Sequence, residues 1–259
     1  MNELNVWKRA CIEAGEVALK YFQKEFEIKH KGKIDLVTTA DFACEKKIKE
    51  VISSEFPEHA FLGEEEGASG DSEFLWVIDP IDGTTNFSHG LDHFCHSIAL
   101  VKEKELICGA VYSPIFKKMY SAEKTKGAFL NNEKISVSKT SKLIDSILVT
   151  GFPYDDDKLG EKTLKSIDSL RGNWQGLRRF GAAALDFCLV AQGVCDGFFE
   201  YTLQPWDVAA GILIVNEAGG KVTKIDGSEA DIYSDNFLVS NSLLHKGIKS
   251  HLGEKEWKQ

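Results

Sequence analysis

Apolar residues near the start of the chain recur at helical steps. Trp7, Ala10, Cys11, Ala14, Val17, Ala18, Tyr21 and Phe22 are spaced by three or four, which lines them along one face of an amphipathic helix. A second helix is predicted over about 41–56, with Phe42, Ile48, Val51, Ile52 and Phe56 as its apolar face. Thr39 or Asp41 stands where an N-cap belongs, and Pro57 follows its end. On this pattern two helices precede any strand.

From Phe61 the pattern changes to short β-type runs at 75–78, 95–101, 106–112, 118–121 and 128–130, separated by turns. They predict a mostly antiparallel meander. The second half alternates instead: a strand at 147–150, helices at 158–170 and 183–193, a strand at 197–201, a helix at 207–218, and strands at 221–223 and 237–239. The fold class expected is layered α/β. Residues 1–145 are expected to form an N-terminal α+β part with the antiparallel sheet, and 146–259 a C-terminal α/β part. No repeat, low-complexity tract or Pro-rich linker divides the chain, so one compact unit is expected.

The formal net charge of -9 argues against a nucleic-acid partner, which excess Lys and Arg would meet. Cysteines 11, 44, 95, 108, 188 and 195 never form a Cys-x-x-Cys pair and sit mostly in apolar runs. They read as reduced, buried thiols of a cytoplasmic protein. There is no secretory apolar region and no membrane-spanning stretch, so the sequon Asn86-Phe87-Ser88 carries no glycosylation meaning.

Candidate chemistry concentrates where the apolar run Trp76-Val77-Ile78 meets Asp79-Pro80-Ile81-Asp82-Gly83-Thr84-Thr85-Asn86-Phe87. Two carboxylates appear as the strand ends, Pro80 restricts the backbone, and Gly83 permits a tight turn. Oxygen-rich clusters suit Mg²⁺, and a helix starting near Thr84 would turn its free amides toward an anion. Two further acidic features join it: Gly63-Glu64-Glu65-Glu66-Gly67 after Phe61-Leu62, and Trp206-Asp207 before Val208-Ala209-Ala210-Gly211. Alone, the first also fits a solvated loop and the second an N-cap.

These three motifs, in this order, resemble the inositol monophosphatase family, over a span from Asp41 to Glu217-Ala218-Gly219-Gly220. The resemblance implies an αβαβα sandwich, a homodimer, a Mg²⁺ requirement of two or three ions per active site, and Li⁺ sensitivity. Carried over by residue, it makes Glu64, Asp79 and the Ile81 carbonyl ligands of one metal, with Asp79, Asp82 and Asp207 holding a second. It implies a water oriented by Thr84 with help from Asp41, Glu64 among the catalytic residues, and a phosphate held by the amides of Gly83 and Thr84 beside Asp82. Gly181 and Ala183 would border the alcohol, and Glu200 would contact a substrate hydroxyl, although a strand-end surface acid explains Glu200 as well. Ala182 departs from many relatives, which carry Ser or Thr there. The basic loop 29–33 resembles a metal-proximal loop of the family.

The activity implied is Mg²⁺-dependent hydrolysis of a phosphorylated polyol or sugar, inositol monophosphate first. Fructose 1,6-bisphosphate, histidinol phosphate and nucleotide phosphates are the enzymatic alternatives, and a regulatory binding protein is the alternative of another class. An aspartyl-phosphate mechanism fits less well, because its two aspartates are separated by one residue and stand on a first strand. His89, His93, Cys95 and His96 invite a zinc site, but no second ligand pair follows, and a strand edge with a buried Cys is preferred. Asp155-Asp156-Asp157 reads as a solvated loop before a helix. Arg178 and Arg179 could attract phosphate or pair with surface acids.

Overall fold

The structure is a computed structural model that describes residues 5–23, 28–30, 36–153 and 157–252, with 28–30 and 36–38 described by their backbone. The chain opens with α1 (Val6–Tyr21), a short hairpin of β1 (Ile28–His30) and β2 (Leu36–Thr38), and α2 (Thr39–Ser53). The hairpin corrects the expectation that no strand precedes the second helix. Strands β3 (Ala60–Gly63), β4 (Gly67–Ser69) and β5 (Phe74–Asp82) lead to a five-residue helix α3 (Thr84–Ser88). Then come β6 (Cys95–Lys102), β7 (Glu105–Ser113), β8 (Lys118–Glu123), β9 (Gly127–Leu130) and β10 (Glu133–Ile135). The second half runs β11 (Ile147–Thr150), α4 (Asp157–Leu170), β12 (Gly176–Arg178), α5 (Ala183–Ala191), β13 (Gly197–Tyr201), α6 (Pro205–Glu217), β14 (Lys221–Thr223), β15 (Asn236–Ser240) and α7 (His245–Leu252).

Eight strands form one sheet in the order β10-β9-β8-β7-β6-β5-β3-β4, antiparallel except where β3 runs parallel to β5. Five form a second, β12-β11-β13-β15-β14, with β11 parallel to both its neighbours. Helices α1 and α2 cover one face of the large sheet, α5 and α6 fill the space between the sheets, and α4 and α7 cover the outer face of the second. The result is the αβαβα sandwich. Both faces of the large sheet are buried, so its central strands carry apolar runs such as Leu75-Trp76-Val77-Ile78 and Ile98-Ala99-Leu100-Val101 rather than alternating. Along β5, Trp76 and Ile78 join the cluster under α1 and α2, while Val77 joins the one under α5 and α6.

The second helix starts earlier than expected and buries a different stripe. Phe42 is 45% exposed, Phe56 is 36% exposed and lies beyond the helix, and the buried positions include Asp41, Cys44, Glu45 and Ile48. Two carboxylates thus lie on the buried face, where a search for apolar residues passes over them. All six cysteines are free and buried, and burial pushes the Cys11, Cys44, Cys95 and Cys188 thiols up. Among the described residues, no helix is long and apolar enough to cross a membrane.

Helix α6 reaches its place because Ala209-Ala210-Gly211 lets it lie close to its neighbours. A Cβ on Gly211 would stand 2.7 Å from Cβ and Cγ of the fully buried Phe187 on α5, and one on Gly109 of β7 would stand 3.1 Å from Cα of Ala210. This approach carries the start of α6, and with it Asp207, to the end of β5. Gly211→Ala is therefore expected to destabilise the protein by about 1–3 kcal/mol through overpacking, although Ala is favoured in a helix by roughly 1 kcal/mol. Urea unfolding measures the balance.

Candidate active site

Asp79 and Asp82 are three residues apart, so a regular strand would point them to opposite faces of the sheet. The ladder prevents this. Asp79 pairs with Ser97 and Asp82 with Cys95, and the register shifts between them. Three steps along β5 match two along β6, so Pro80 and Ile81 hold one extra residue, a β-bulge that brings both acids to one face. That face looks toward α5 and α6: Ser97 Oγ donates to the carbonyl of Trp206 at 3.2 Å, and Ile81 packs on the other side with the cluster of α1 and α2. The strand therefore continues through Asp82 rather than ending before Asp79. A carbonyl displaced by the bulge, that of Pro80, accepts from Nδ1 of buried His96, whose pKa burial lowers to about 4.

Asp82 is anchored by the start of α5. Its Oδ1 accepts the amide of Ala183 at 3.1 Å, and its Oδ2 accepts that of Ala184 at 2.7 Å and the Cys95 thiol at 3.5 Å. The N-cap of α5, Ala182, makes no side-chain cap, so Asp82 serves the helix start from another element. The hydroxyl missing at Ala182 is thus first a missing helix cap. Burial raises Asp82 to about 6, and the Ala184 amide, the Cys95 thiol and the Ala183 amide pull it back.

Asp79 has no such relief. It is buried, and its Oδ1 has no hydrogen-bond partner. Burial raises its pKa well above the carboxylate range, and Glu64, Asp82, Asp207 and Asp41 add repulsion in that order. Glu64 follows β3 and ties its amide to the Ile78 carbonyl at 3.2 Å, beside Asp79. Asp207 occupies the third position of α6, where its Oδ2 accepts the amide of the N-cap Gln204 at 2.7 Å, half of a capping box. Asp207, which alone also fitted an N-cap, is instead the reciprocal partner of the N-cap Gln204.

Glu64, Asp79, Ile81, Asp82, Gly83, Thr84, Gly181, Ala183, Glu200 and Asp207 share one cleft of about 120 Å³, together with Thr85, Gly151, Arg179, Ala182 and Leu203. Asp41 stands behind it: the Thr84 hydroxyl faces Asp41 Oδ1 at 3.3 Å and the Ile81 carbonyl at 3.0 Å, and its single proton serves one at a time. Gly83 opens α3 at φ 90°, and a Cβ there would crowd the His93 and Gly181 carbonyls and Ala182 Cβ within 3.1–3.2 Å. Asn86 fastens this turn to the loop before α5 by donating to the carbonyls of His93 and Phe180 at 2.7 and 2.8 Å.

Glu200, at the end of β13, faces into the cleft instead of lying on the surface. Burial raises it to about 8, with Asp207 and Asp82 adding to the rise and Arg179 opposing it. Gly151 makes room, since a Cβ there would fall 2.0 Å from the carboxyl group. The zinc alternative fails on geometry: Cys95 and His96 are neighbours in a strand and face opposite sides, and β6 is a central strand, not an edge. Asp155 and Asp156 lie outside the described residues, as do the side chain of Asp157 and most of the loop 29–33.

The donor set is all oxygen, the chemistry of a hard divalent cation, and it includes the unpartnered Asp79 Oδ1. As placed, no three acid side chains among the described residues converge on one point; they line the cleft. A larger cleft of about 810 Å³ lies between the β6–β7 turn, α6 and residues 230–233. No buried, unpartnered polar side chain among the described residues lines it, so size does not make it the reactive site.

The profile of the inositol monophosphatase family matches residues 2–257. This chain belongs to that family. It is 40% identical over 252 residues to the inositol-1-monophosphatase of Caulobacter vibrioides, covering 93% of this chain and 98% of that protein. The extragenic suppressor protein suhB of Bartonella henselae superposes with a TM-score of 0.93 at 37% identity, covering 96% and 98% of the two chains. An IMPase/NADP phosphatase solved with Mg²⁺ and phosphate matches with a TM-score of 0.81 at 26% identity, covering 94% and 92%. Kinship of this extent supports a phosphatase activity in a metal-dependent family.

Within that family frame, sequence reasoning missed Glu45, Gly151 and Asp186, and it left Arg179, which lines the cleft, between attracting phosphate and pairing with surface acids. Asp186 is buried on α5, with Oδ1 unpartnered and 3.9 Å from His93 Nε2, beyond hydrogen-bond reach. Only Glu45 had a signal, its position one helical turn after Asp41.

An acid whose pKa is raised by folding opposes the fold when ionised, increasingly as pH climbs through the raised range. Asp79→Asn is therefore expected to raise the unfolding temperature of the metal-free protein at pH 7, at about 2–4 °C per kcal/mol relieved, and to abolish the stabilisation by added Mg²⁺. Calorimetry with and without Mg²⁺ measures both.

Proposed function

We propose that the protein is a Mg²⁺-dependent phosphatase for a small phosphate monoester of a polyol, with inositol monophosphate as the first substrate. The observation that carries this reading is the buried Asp79 carboxylate, its Oδ1 unpartnered and other acids near it, in a cleft shared with the residues that open α3. Glu64, Asp79, Asp82, Asp207 and the Ile81 carbonyl would hold the ions. Bound Mg²⁺ supplies Lewis acidity, polarising the phosphate and acidifying water.

The chain's own residues do the positioning. The first amides of α3, at Gly83 and Thr84, point anion-binding donors at the phosphate oxygens. Thr84 holds the attacking water through its hydroxyl oxygen when its proton is turned to Asp41, so the pair aims the nucleophile and takes its proton. Glu200, with Gly181 and Ala183 beside it, meets the alcohol portion. In the metal-free cleft burial raises Glu200, with Asp207 and Asp82 adding to the rise, and its carboxyl oxygens can accept from a substrate hydroxyl.

Phosphate release from a panel of monoesters tests the reading. Activity is expected only with Mg²⁺, and release that persists in chelator would overturn the metal mechanism. Thr84→Ala is expected to lower kcat by about 10²–10⁴-fold with Mg²⁺ binding retained. Glu200→Gln should change KM and the ranking of substrates more than kcat, and an unchanged ranking would remove Glu200 from the alcohol site. A preference for a bisphosphate would overturn the substrate while leaving the mechanism standing.

A further inference from the structure

Helix α2 supplies a second carboxylate that the mechanism above does not use. Glu45 lies one turn after Asp41, fully buried at 0% exposure. Its Oε2 accepts the amide of Glu65 at 2.8 Å, and its Oε1 accepts the amide of Glu66 at 3.2 Å and the ammonium of Lys49 at 2.7 Å. Lys49 also donates to Glu66 Oε2 at 2.9 Å. Gly63 leaves the space this needs, since a Cβ there would lie 2.1 Å from Glu45 Oε1.

Glu64 is therefore held on both sides. Its own amide is tied to β5 next to Asp79, and the two amides that follow it are tied to one carboxylate on α2. We infer that Glu45 is a positioning residue that sets the cation affinity of the cleft by fixing the backbone from which the Glu64 carboxylate projects. This rests on the Mg²⁺ reading. Lys49 neutralises Glu45, so the buried acid orders the loop without adding uncompensated charge beside the others. Outer partners of this kind tune affinity by restricting the directions a ligand can take.

The test is calorimetric titration of Mg²⁺ into metal-free protein, wild type against Glu45→Gln and Gly63→Ala. The amide of Gln keeps the shape of Glu45 but turns one acceptor into a donor facing the Glu66 amide or the Lys49 ammonium. The Gly63→Ala methyl displaces the same carboxylate from the opposite side and carries the test if Glu45→Gln does not fold. Mg²⁺ affinity is expected to fall by about 10-fold or more, with the loss in kcat largely recovered at saturating Mg²⁺. Folded variants that bind Mg²⁺ as wild type does, with only a lower urea midpoint, would overturn the assignment and leave Glu45 a stabilising residue. A wild-type protein that takes up no Mg²⁺ would overturn the metal reading and this assignment together.

Discussion

One extra residue in a central strand governs the site. Between Asp79 and Asp82 the large sheet absorbs Pro80 and Ile81 as a bulge, and its cost is a broken ladder in the middle of a buried sheet. Three features keep that cost bearable. Pro has no amide to leave unpaired, His96 reaches up from β6 to the Pro80 carbonyl, and Ile81 buries its side chain against α1 and α2. In return, two carboxylates that a regular strand would separate by the thickness of the sheet meet on one side of it.

The rest of the fold brings partners to that side. The small-residue face of α6 carries Asp207 inward, the parallel pairing of β3 with β5 delivers Glu64 level with Asp79, and the start of α5 meets Asp82. Five acids line this small cleft, and burial, with repulsion from their neighbours added, raises Asp79 and Glu200. Perturbed acids of this kind cluster at functional sites, and an all-oxygen set suits a hard divalent cation.

Much of this was legible in the sequence, for identifiable reasons. The helical period of α1 and the apolar runs of β6 and β13 announce themselves through side chains, and the three acidic motifs carry their residue types openly. What stayed hidden depends on partners distant in sequence. The β1–β2 hairpin is too short to show a period. The buried stripe of α2 runs through Asp41 and Glu45, which a hydrophobicity pattern counts as exposed. Phe42 and Phe56 were expected inside because they are large and apolar, but the helix turns Phe42 outward as it buries those two acids, and Phe56 lies past its end. Gly63 and Gly151 each leave a gap that a carboxyl group fills, so half of the information that aims Glu45 and Glu200 is stored in residues with no chemistry of their own.

The hydrogen bonds from Ala183 and Ala184 to Asp82 also make one carboxylate common property of two structures. It belongs to the cleft, and it is the electrostatic counterweight to the positive end of α5, which lies between the two sheets. Charge that an ion drew from Asp82 would be charge withdrawn from the helix. On the Mg²⁺ reading, the first turn of α5, with the Gly181–Ala183 segment that borders the cleft, would be linked to what the acids hold through the layer between the sheets.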